Sequence, residues 1–389
     1  MKCDVVIVGG AAMGSATAYY LKQMDPALSV TVFERDSTYV RSSTVLSDGN
    51  VRIQFNLEEN IRISQYALEV LETFADDMET PAYRPEVGAR HQGNLFLTDG
   101  SHTADALAGL ALQQALGCEV GWLDTAEIAA RWPIFDGPHH VGGTFGSLDG
   151  SVDPGAVVRG YRQRAIALGV EFVEAEVAGL IRKGPAMSGV RLTSGQQIDA
   201  SVVVNCAGAW SPALLADIGV EIPVQPIMRN VFVVASHLEW EGDLPSVFVP
   251  SGLYVLPERD GTFLVAWSQP DDPMDFDFTV RRSRFYDLIW PELIEHFPAF
   301  DQLEITNSWA GLYAVNTLDG NAILGEWPGV HGLHVCTGFS GHGFQQCHAA
   351  GRYLAELILE QDNALDLSRL GTRRIIEDEP LFEHAGRLI

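Results

Sequence analysis

Asp4 is followed by Val5, Val6, Ile7 and Val8, an unbroken β-branched run of the kind that forms a strand covered on both faces in a parallel sheet. Gly9 and Gly10 end it. Small and apolar residues then recur at helical spacing from Ala12 to Met24, with Ala12, Ala16, Tyr20 and Met24 on one side, and Asp25-Pro26 stops the helix. Val30 to Phe33 returns as a strand. The N-terminal stretch thus predicts strand, glycine-rich turn, helix and strand, one βαβ unit with a right-handed crossover.

Residues 58–79 carry a second helical pattern through Ile61, Ala67, Leu68, Leu71, Phe74 and Met78, closed by Thr80-Pro81. Short strand candidates follow at Asn94 to Leu97, Phe145, Val231 to Ala235, Tyr254 to Leu256 and Phe263 to Trp267, separated by Gly, Pro, Asp and Ser turns. That mixture predicts an antiparallel sheet. Between these groups Pro154 to Leu168 reads as a helix, and Val170 to Val173 and Val202 to Val204 read as strands. Near the end, Leu333 to Cys336 is a strand and Phe344 to Leu359 a helix after a glycine-rich turn. The expected fold class is therefore α/β plus α+β. Its α/β pieces fall at 1–80, 146–215 and 316–389, interleaved with a β-rich domain from 81–145 and 216–315.

Composition narrows the function classes. The chain has 389 residues, 47% of them apolar, which suits a folded enzyme of two or three domains and is too apolar for a disordered chain. Lys plus Arg is 25 against 51 Asp plus Glu, a formal charge of −26 that repels phosphate backbones, so nucleic acid is not an expected partner. Five cysteines (Cys3, Cys118, Cys206, Cys336 and Cys347) form no C-x-x-C and suggest a reduced, cytoplasmic protein. No basic segment precedes the first apolar run and no apolar stretch is long enough for a bilayer, so no membrane span is expected. His139-His140 and His331/His334 lack an acid or thiol at ligand spacing, and no metal is expected. Arg281, Arg282 and Arg284 stand out against the acidic background and read as a helix surface with local ion pairs, or as part of a substrate entrance.

The first chemical motif is Gly9-Gly10-Ala11-Ala12-Met13-Gly14 at the strand-to-helix turn, where free N–H groups at a helix start hold a pyrophosphate. It is a modified dinucleotide fingerprint, with Ala11 in place of the usual second glycine. Glu34 ends the second strand, where a carboxylate accepts hydrogen bonds from a ribose. The fingerprint does not distinguish a nicotinamide from a flavin dinucleotide.

Four further blocks make that choice. Arg41 to Phe55 (R-S-S-T-V-L-S-D-G-N-V-R-I-Q-F) resembles the second flavin-contacting segment of the D-amino-acid oxidase and sarcosine oxidase superfamily, which includes glycine oxidase-like enzymes. Val204 to Trp210, Trp309 to Gly325 and Gly338 to Phe344 resemble its mid-chain turn, its late flavin segment and its C-terminal loop. The resemblance implies a Rossmann-type FAD-binding domain from the α/β pieces and an antiparallel substrate domain from the remainder. It implies FAD contacts at Arg35, Ser43, Thr44 and Ser47, at Gly49, Asn50 and Val51, and at Val177. The same holds for Cys206, Ala207, Gly208 and Trp210, for Gly311, and for Gly338, Phe339, Ser340, Gly341, His342, Gly343 and Phe344. In the C-terminal loop the glycines let the backbone approach a flat ligand, and the helix that follows points its positive end at it. Some sarcosine oxidases attach flavin through a cysteine in the late segment, where this chain has Gly311, Leu312 and Tyr313, so the FAD is expected to be non-covalent.

By the same resemblance the reaction is oxidation of the C–N bond of an amino acid or N-methylated amino acid, by hydride transfer to flavin, giving an imine that hydrolyses. The likeness to a mitochondrial flavoprotein of respiratory complex I assembly keeps an assembly or electron-transfer role as the alternative. Arg52, Tyr254 and Tyr313 are the candidates for holding a substrate carboxylate, with Arg229 fourth. His342 is either a loop residue or a direct part of the site. The lysine that sarcosine oxidases use toward oxygen is absent from Phe263-Leu264-Val265-Ala266, and oxygen and another electron acceptor both stay open.

Overall fold

The computed structural model describes residues 2–258 and 261–383. Its first sheet has six strands in the order Ile323–Glu326, Leu333–Thr337, Val202–Asn205, Val5–Val8, Val30–Glu34 and Glu171–Glu174. All neighbours are parallel except Ile323–Glu326, which returns antiparallel along Leu333–Thr337. Val5, Val6 and Ile7 sit at the centre with essentially no exposed surface, as an unbroken apolar strand requires.

Helix Ala12–Met24 departs from the one-sided pattern expected of it. Nearly every residue from Ala12 to Lys22 is buried, because the helix lies between the sheet and helices Pro154–Ala167 and Gly343–Ile358. Small residues make that possible. A Cβ on Gly351 would stand 2.7 Å from Ala16 Cβ, so the two backbones cross at close range.

The second sheet has eight strands in the order Leu303–Asn316, Val224–Ser236, Phe263–Trp267, Leu253–Pro257, Ser246–Phe248, Asn94–Thr98, Gly142–Gly146 and Val120–Asp124. It is antiparallel apart from the pair Ser246–Phe248 and Asn94–Thr98. Phe135, Phe232, Phe263, Phe285, Phe297 and Phe300 fill the core on one face. Helices Thr103–Ala115 and Thr125–Arg131 lie in the stretch that reads as β-rich, between strand candidates that carry no helix of their own in the sequence pattern. The basic run is a short helical turn, Arg282–Arg284, with Arg284 paired to Asp272 and Arg281 to Asp277 at 3.6 Å.

One strand ties the two sheets together. Leu303–Asn316 pairs along its length with Val224–Ser236, and its far end meets the C-terminal loop, where Ser340 N–H donates to Ala314 O at 3.0 Å and Asn316 N–H donates to Ser340 Oγ at 3.0 Å. A cavity lies between the sheets at that junction. Among the described residues no helix is long and apolar enough to cross a membrane.

Candidate functional site

The cavity has a volume of about 860 Å³ and opens at the carboxyl ends of Val5–Val8, Val30–Glu34 and Val202–Asn205, where open α/β sheets bind ligands. The glycine-rich turn forms its floor. Gly9 has φ +95°, and a Cβ there would lie 2.6 Å from Cys206 O; a Cβ on Gly14 would lie 1.9 Å from Gly9 O. Only glycine permits this turn at either place. Helix Ala12–Met24 has no side-chain cap, and its first turn carries no acid, so its leading N–H groups are left for an anion. Glu34 accepts from Gly10 N–H at 2.8 Å and from Asp36 N–H at 3.0 Å, while its carboxylate stays on the cavity wall with further lone pairs.

Gly9, Ala11, Met13, Glu34, Arg35 and Val177 line one end of the cavity, with Cys206, Ala207, Gly208 and Trp210. The guanidinium of Arg35 lies 3.8 Å from the centre of the Trp210 ring. Ser43, Thr44 and Ser47 line the middle, held by Ser43 Oγ donating to Leu312 O at 2.6 Å and by Trp309 Nε1 donating to Leu46 O at 2.9 Å. Gly311 lies on the wall, where a Cβ would stand a tight 3.2 Å from Leu46 Cβ. Phe339, Ser340, Gly341, Gly343 and Phe344 complete the lining, and helix Gly343–Ile358 also starts without a side-chain cap. At Gly341, with φ +104°, a Cβ would meet the Tyr313 ring at 2.5 Å.

Several expected contact residues stand behind this wall instead. Gly10 holds Glu34, Ala12 and Gly14 pack the helix start, and Gly338 turns the chain against Asn316, Ile323 and Val224. Gly49 forms a turn under Val152 O, and Val51 pairs with Gly150 in a two-stranded ladder. These glycines and small residues shape the cavity by letting backbone segments approach, which from sequence looks the same as ligand contact.

Asn50, Arg52 and His342 face a smaller chamber of about 40 Å³ that adjoins the cavity and shares Ser47, Asp48, Tyr254, Tyr313, Gly341 and Phe344 with it. Arg52 is 7% exposed, and its guanidinium lies 4.6 Å from the Phe55 ring centre and 5.3 Å from that of Phe96. Its Nη2 is 3.0 Å from His342 Nε2, and no carboxylate among the described residues forms an ion pair with it. Burial, with the neighbouring Arg52 charge, pushes the His342 imidazole down to about 3, so it is neutral. Gln345 fixes the Arg52 backbone from both sides, accepting from its N–H at 2.8 Å and donating to its carbonyl at 3.1 Å.

Tyr254 and Tyr313 bond to one another through their phenols, and burial pushes Tyr254 well up and Tyr313 up to about 12. Arg229 lines the larger cavity 5.2 Å from the Tyr313 ring centre, but its charge is spent on Asp272, which Arg284 shares. Two features escaped the sequence reading. Asp48 lies on the wall of both spaces, hydrogen-bonded to Tyr254 and to Asn50 N–H, the latter at 2.9 Å. An aromatic edge also closes over the larger cavity, with Phe276 5.1 Å from Trp210 and Phe278 5.4 Å from the Arg41 guanidinium. Asp48 sits inside the quoted R-S-S-T-V-L-S-D-G-N-V-R block, so its place beside Arg52 was the available signal; the aromatic edge lies on irregular chain with none.

A long cavity with uncapped helix starts at two places, a carboxylate at the second strand's end and the unpaired hydroxyl of Tyr39 on its wall fits a dinucleotide. Residues 4–357 match the family DAO, described as FAD dependent oxidoreductase. The FAD-dependent oxidoreductase domain-containing protein 1 of Xenopus laevis is 32% identical over 98% of this chain and 84% of its own length. Sarcosine oxidase subunit beta of an Arthrobacter species is 25% identical over 96% of this chain and 93% of its own. Among solved structures, L-proline dehydrogenase from P. horikoshii shares the fold with a TM-score of 0.87 at 23% identity, covering 98% of this chain and 99% of that one. The chain belongs to the DAO family of FAD-dependent oxidoreductases and takes FAD as its cofactor.

Proposed function

We propose that the protein oxidises the C–N bond of an amino acid or an N-methylated amino acid, leaving an imine that water hydrolyses to a carbonyl compound and an amine. The observation that carries this reading is Arg52, a buried guanidinium with no carboxylate partner among the described residues, facing a polar chamber that joins the cofactor cavity. A substrate carboxylate supplies the missing anion. Sarcosine oxidase among the relatives supports the same chemistry.

FAD, when bound, supplies the hydride acceptor. The helix start at Ala11 to Met13 would hold its pyrophosphate and Glu34 its ribose, with Arg35 and Trp210 toward the adenine and the Gly341 to Phe344 segment toward the ring system. The chain's own work is positioning. Arg52 grips the carboxylate, neutral His342 holds Arg52 from behind, and the phenols of Tyr254 and Tyr313 border the space where the α-carbon must lie.

The test is an anaerobic absorbance spectrum of the yellow protein, titrated with glycine, sarcosine, L-proline and D-amino acids. Bleaching of the flavin bands by one of them is the expected result, and readmitting air then reports whether oxygen is the acceptor. A yellow protein that none of them bleaches overturns amine oxidation in favour of an assembly or electron-transfer role.

A further inference from the structure

Arg52 is only half of an unbalanced pair. Asp48 also lines the small chamber, and it too lacks an ion-pair partner: no Lys, Arg or His among the described residues comes within 4.0 Å of its carboxylate. What holds it are two backbone N–H groups, its own and that of Asn50 at 2.9 Å, the Tyr254 phenol and, at longer range, the Arg52 charge; burial outweighs them and pushes its carboxyl up from the ordinary carboxylate range, toward the pH at which a base exchanges protons. A buried carboxylate whose hydrogen bonds come from neutral donors, with the nearest cation beyond ion-pair distance, is costly unless a cation arrives. The same holds for the guanidinium facing it. One chamber therefore presents an unpaired anion and an unpaired cation, and the small ligand that answers both is a zwitterion whose ammonium and carboxylate are one carbon apart.

Resting on the reading of amine oxidation, we propose that Asp48 recognises the ammonium of an α-amino acid and takes its proton. The N–H bond breaks with its electron pair kept by nitrogen, an O–H bond forms on an Asp48 oxygen, and the amine becomes neutral. That lone pair is what an α-carbon needs in order to lose hydride and form C=N. The chamber, at about 40 Å³, holds the polar head of such a molecule and little more, so its side chain must extend into the larger cavity.

The other groups facing Asp48 do not compete for this role. Burial holds the phenols of Tyr254 and Tyr313 protonated and the His342 imidazole neutral through the neutral range. Arg52 stays a cation, and Arg229, beyond Tyr313, is bound to Asp272. Among the described residues, Asp48 is the one carboxylate on the wall that both spaces share.

The experiment compares the FAD-loaded wild type with Asp48→Asn and Asp48→Glu, each first checked for yellow colour and an unchanged thermal midpoint. Two readouts are taken: the anaerobic rate of flavin bleaching by sarcosine and L-proline against pH, and the affinity for the same amino acids and for acetate, read from the shift of the flavin bands. Asp48→Asn is expected to slow bleaching at pH 7 by about 100-fold, with the rate recovering toward the free amine's own pKa of about 10. Acetate affinity stays within about threefold, and Asp48→Glu regains much of the rate. An unchanged pH profile in Asp48→Asn overturns the proposal. If no amine bleaches the wild type, the amine-oxidation reading fails by itself. Asp48 is then judged on binding: a wild-type preference for the amino acids over acetate that Asp48→Asn loses supports it, and equal affinities overturn it.

Discussion

Arg52 Nη2 stands 3.0 Å from His342 Nε2, and because a guanidinium only donates, the imidazole nitrogen must accept. Neutral His342 therefore carries its proton on Nδ1. Phe55 packs perpendicular to the same ring, with centroids 5.1 Å apart, so the imidazole is held by an aromatic contact as well as through a nitrogen. The pair fixes the direction of a buried cation that has no ion-pair partner among the described residues.

His342 can thus be tested apart from Arg52. His342→Gln keeps an acceptor in reach, whereas His342→Ala leaves the guanidinium with an unmet donor in an apolar surround. Truncation of one buried partner costs about 1–3 kcal/mol. Acetate affinity, read from the flavin spectrum, is expected to fall roughly 5- to 140-fold in His342→Ala and to stay within a few-fold in His342→Gln. Equal losses in both variants would show that the ring's packing, and not its nitrogen, is what matters.

The glycine turn makes two opposite predictions. In Gly14→Ala the new methyl would sit 1.9 Å from Gly9 O, a backbone atom that cannot move without undoing the turn, so purified protein is expected to be colourless or unfolded. Ala11→Gly removes a methyl from the cavity wall and restores the usual fingerprint. Flavin affinity there is expected to hold or rise, at a stability cost of no more than about 1 kcal/mol for the added chain freedom. Fluorescence titration of the apoprotein with FAD checks both.

The first βαβ unit was legible because its determinants are local: an unbroken β-branched strand, two glycines, a helix of small residues and a Pro stop all lie within Val5 to Pro26. Strands such as Val202–Asn205 and Leu333–Thr337 were legible for the same reason. Leu303–Asn316 was not expected as a strand, since its order depends on pairing with Val224–Ser236 across a bulge between Val233 and Val234. Site residues divide along the same line. Tyr254, on a strand expected to cover the flavin, and Tyr313, in the segment that resembles the late flavin segment, both lie on the cavity wall, while Gly10, Gly14 and Gly338 act through backbone packing. Asp48 escaped notice because a lone acid in a polar loop looks solvated until Tyr254, some two hundred positions away, closes over it.

Buried histidines set a pH dependence whose direction is definite. His348 has no exposed surface, shares a 2.7 Å hydrogen bond between Nδ1 and the Tyr161 hydroxyl, and is pushed down to about 3 by burial. As pH falls below about 6.5 the unfolded chain takes up a proton on this residue while the folded protein does not, so its contribution to stability falls until about pH 3. His348→Gln removes that dependence. Relative to wild type, the variant is expected to gain about 1.4 kcal/mol for each pH unit lowered from 6.5, whatever its offset at neutral pH. Urea titrations of both proteins at pH 7.5, 6.5 and 5.5 give the difference directly, and other titrating groups cancel in it.

The mode of flavin attachment follows from which nucleophiles reach the cavity. The late segment offers Gly311, Leu312 and Tyr313 to the wall, and none is a thiol or an imidazole. Cys336 does reach the wall, but burial pushes its thiol well up, away from the reactive thiolate. Cys206 stands on the neighbouring strand end, within hydrogen-bonding reach of Cys336, and its carbonyl packs over Gly9 in the turn that would hold the pyrophosphate. His342 opens only on the small chamber, and its Nε2 lone pair is engaged by Arg52. Among the described residues on the wall, then, the late segment offers no thiol or imidazole and the two cysteines are buried on adjoining strand ends, an arrangement that favours non-covalent flavin. Precipitation of the yellow protein with trichloroacetic acid is expected to leave the colour in the supernatant, with a spectrum that matches free FAD. A yellow pellet after washing would mean that one of these side chains reaches the ring, and digestion followed by mass spectrometry of the coloured peptide would identify it.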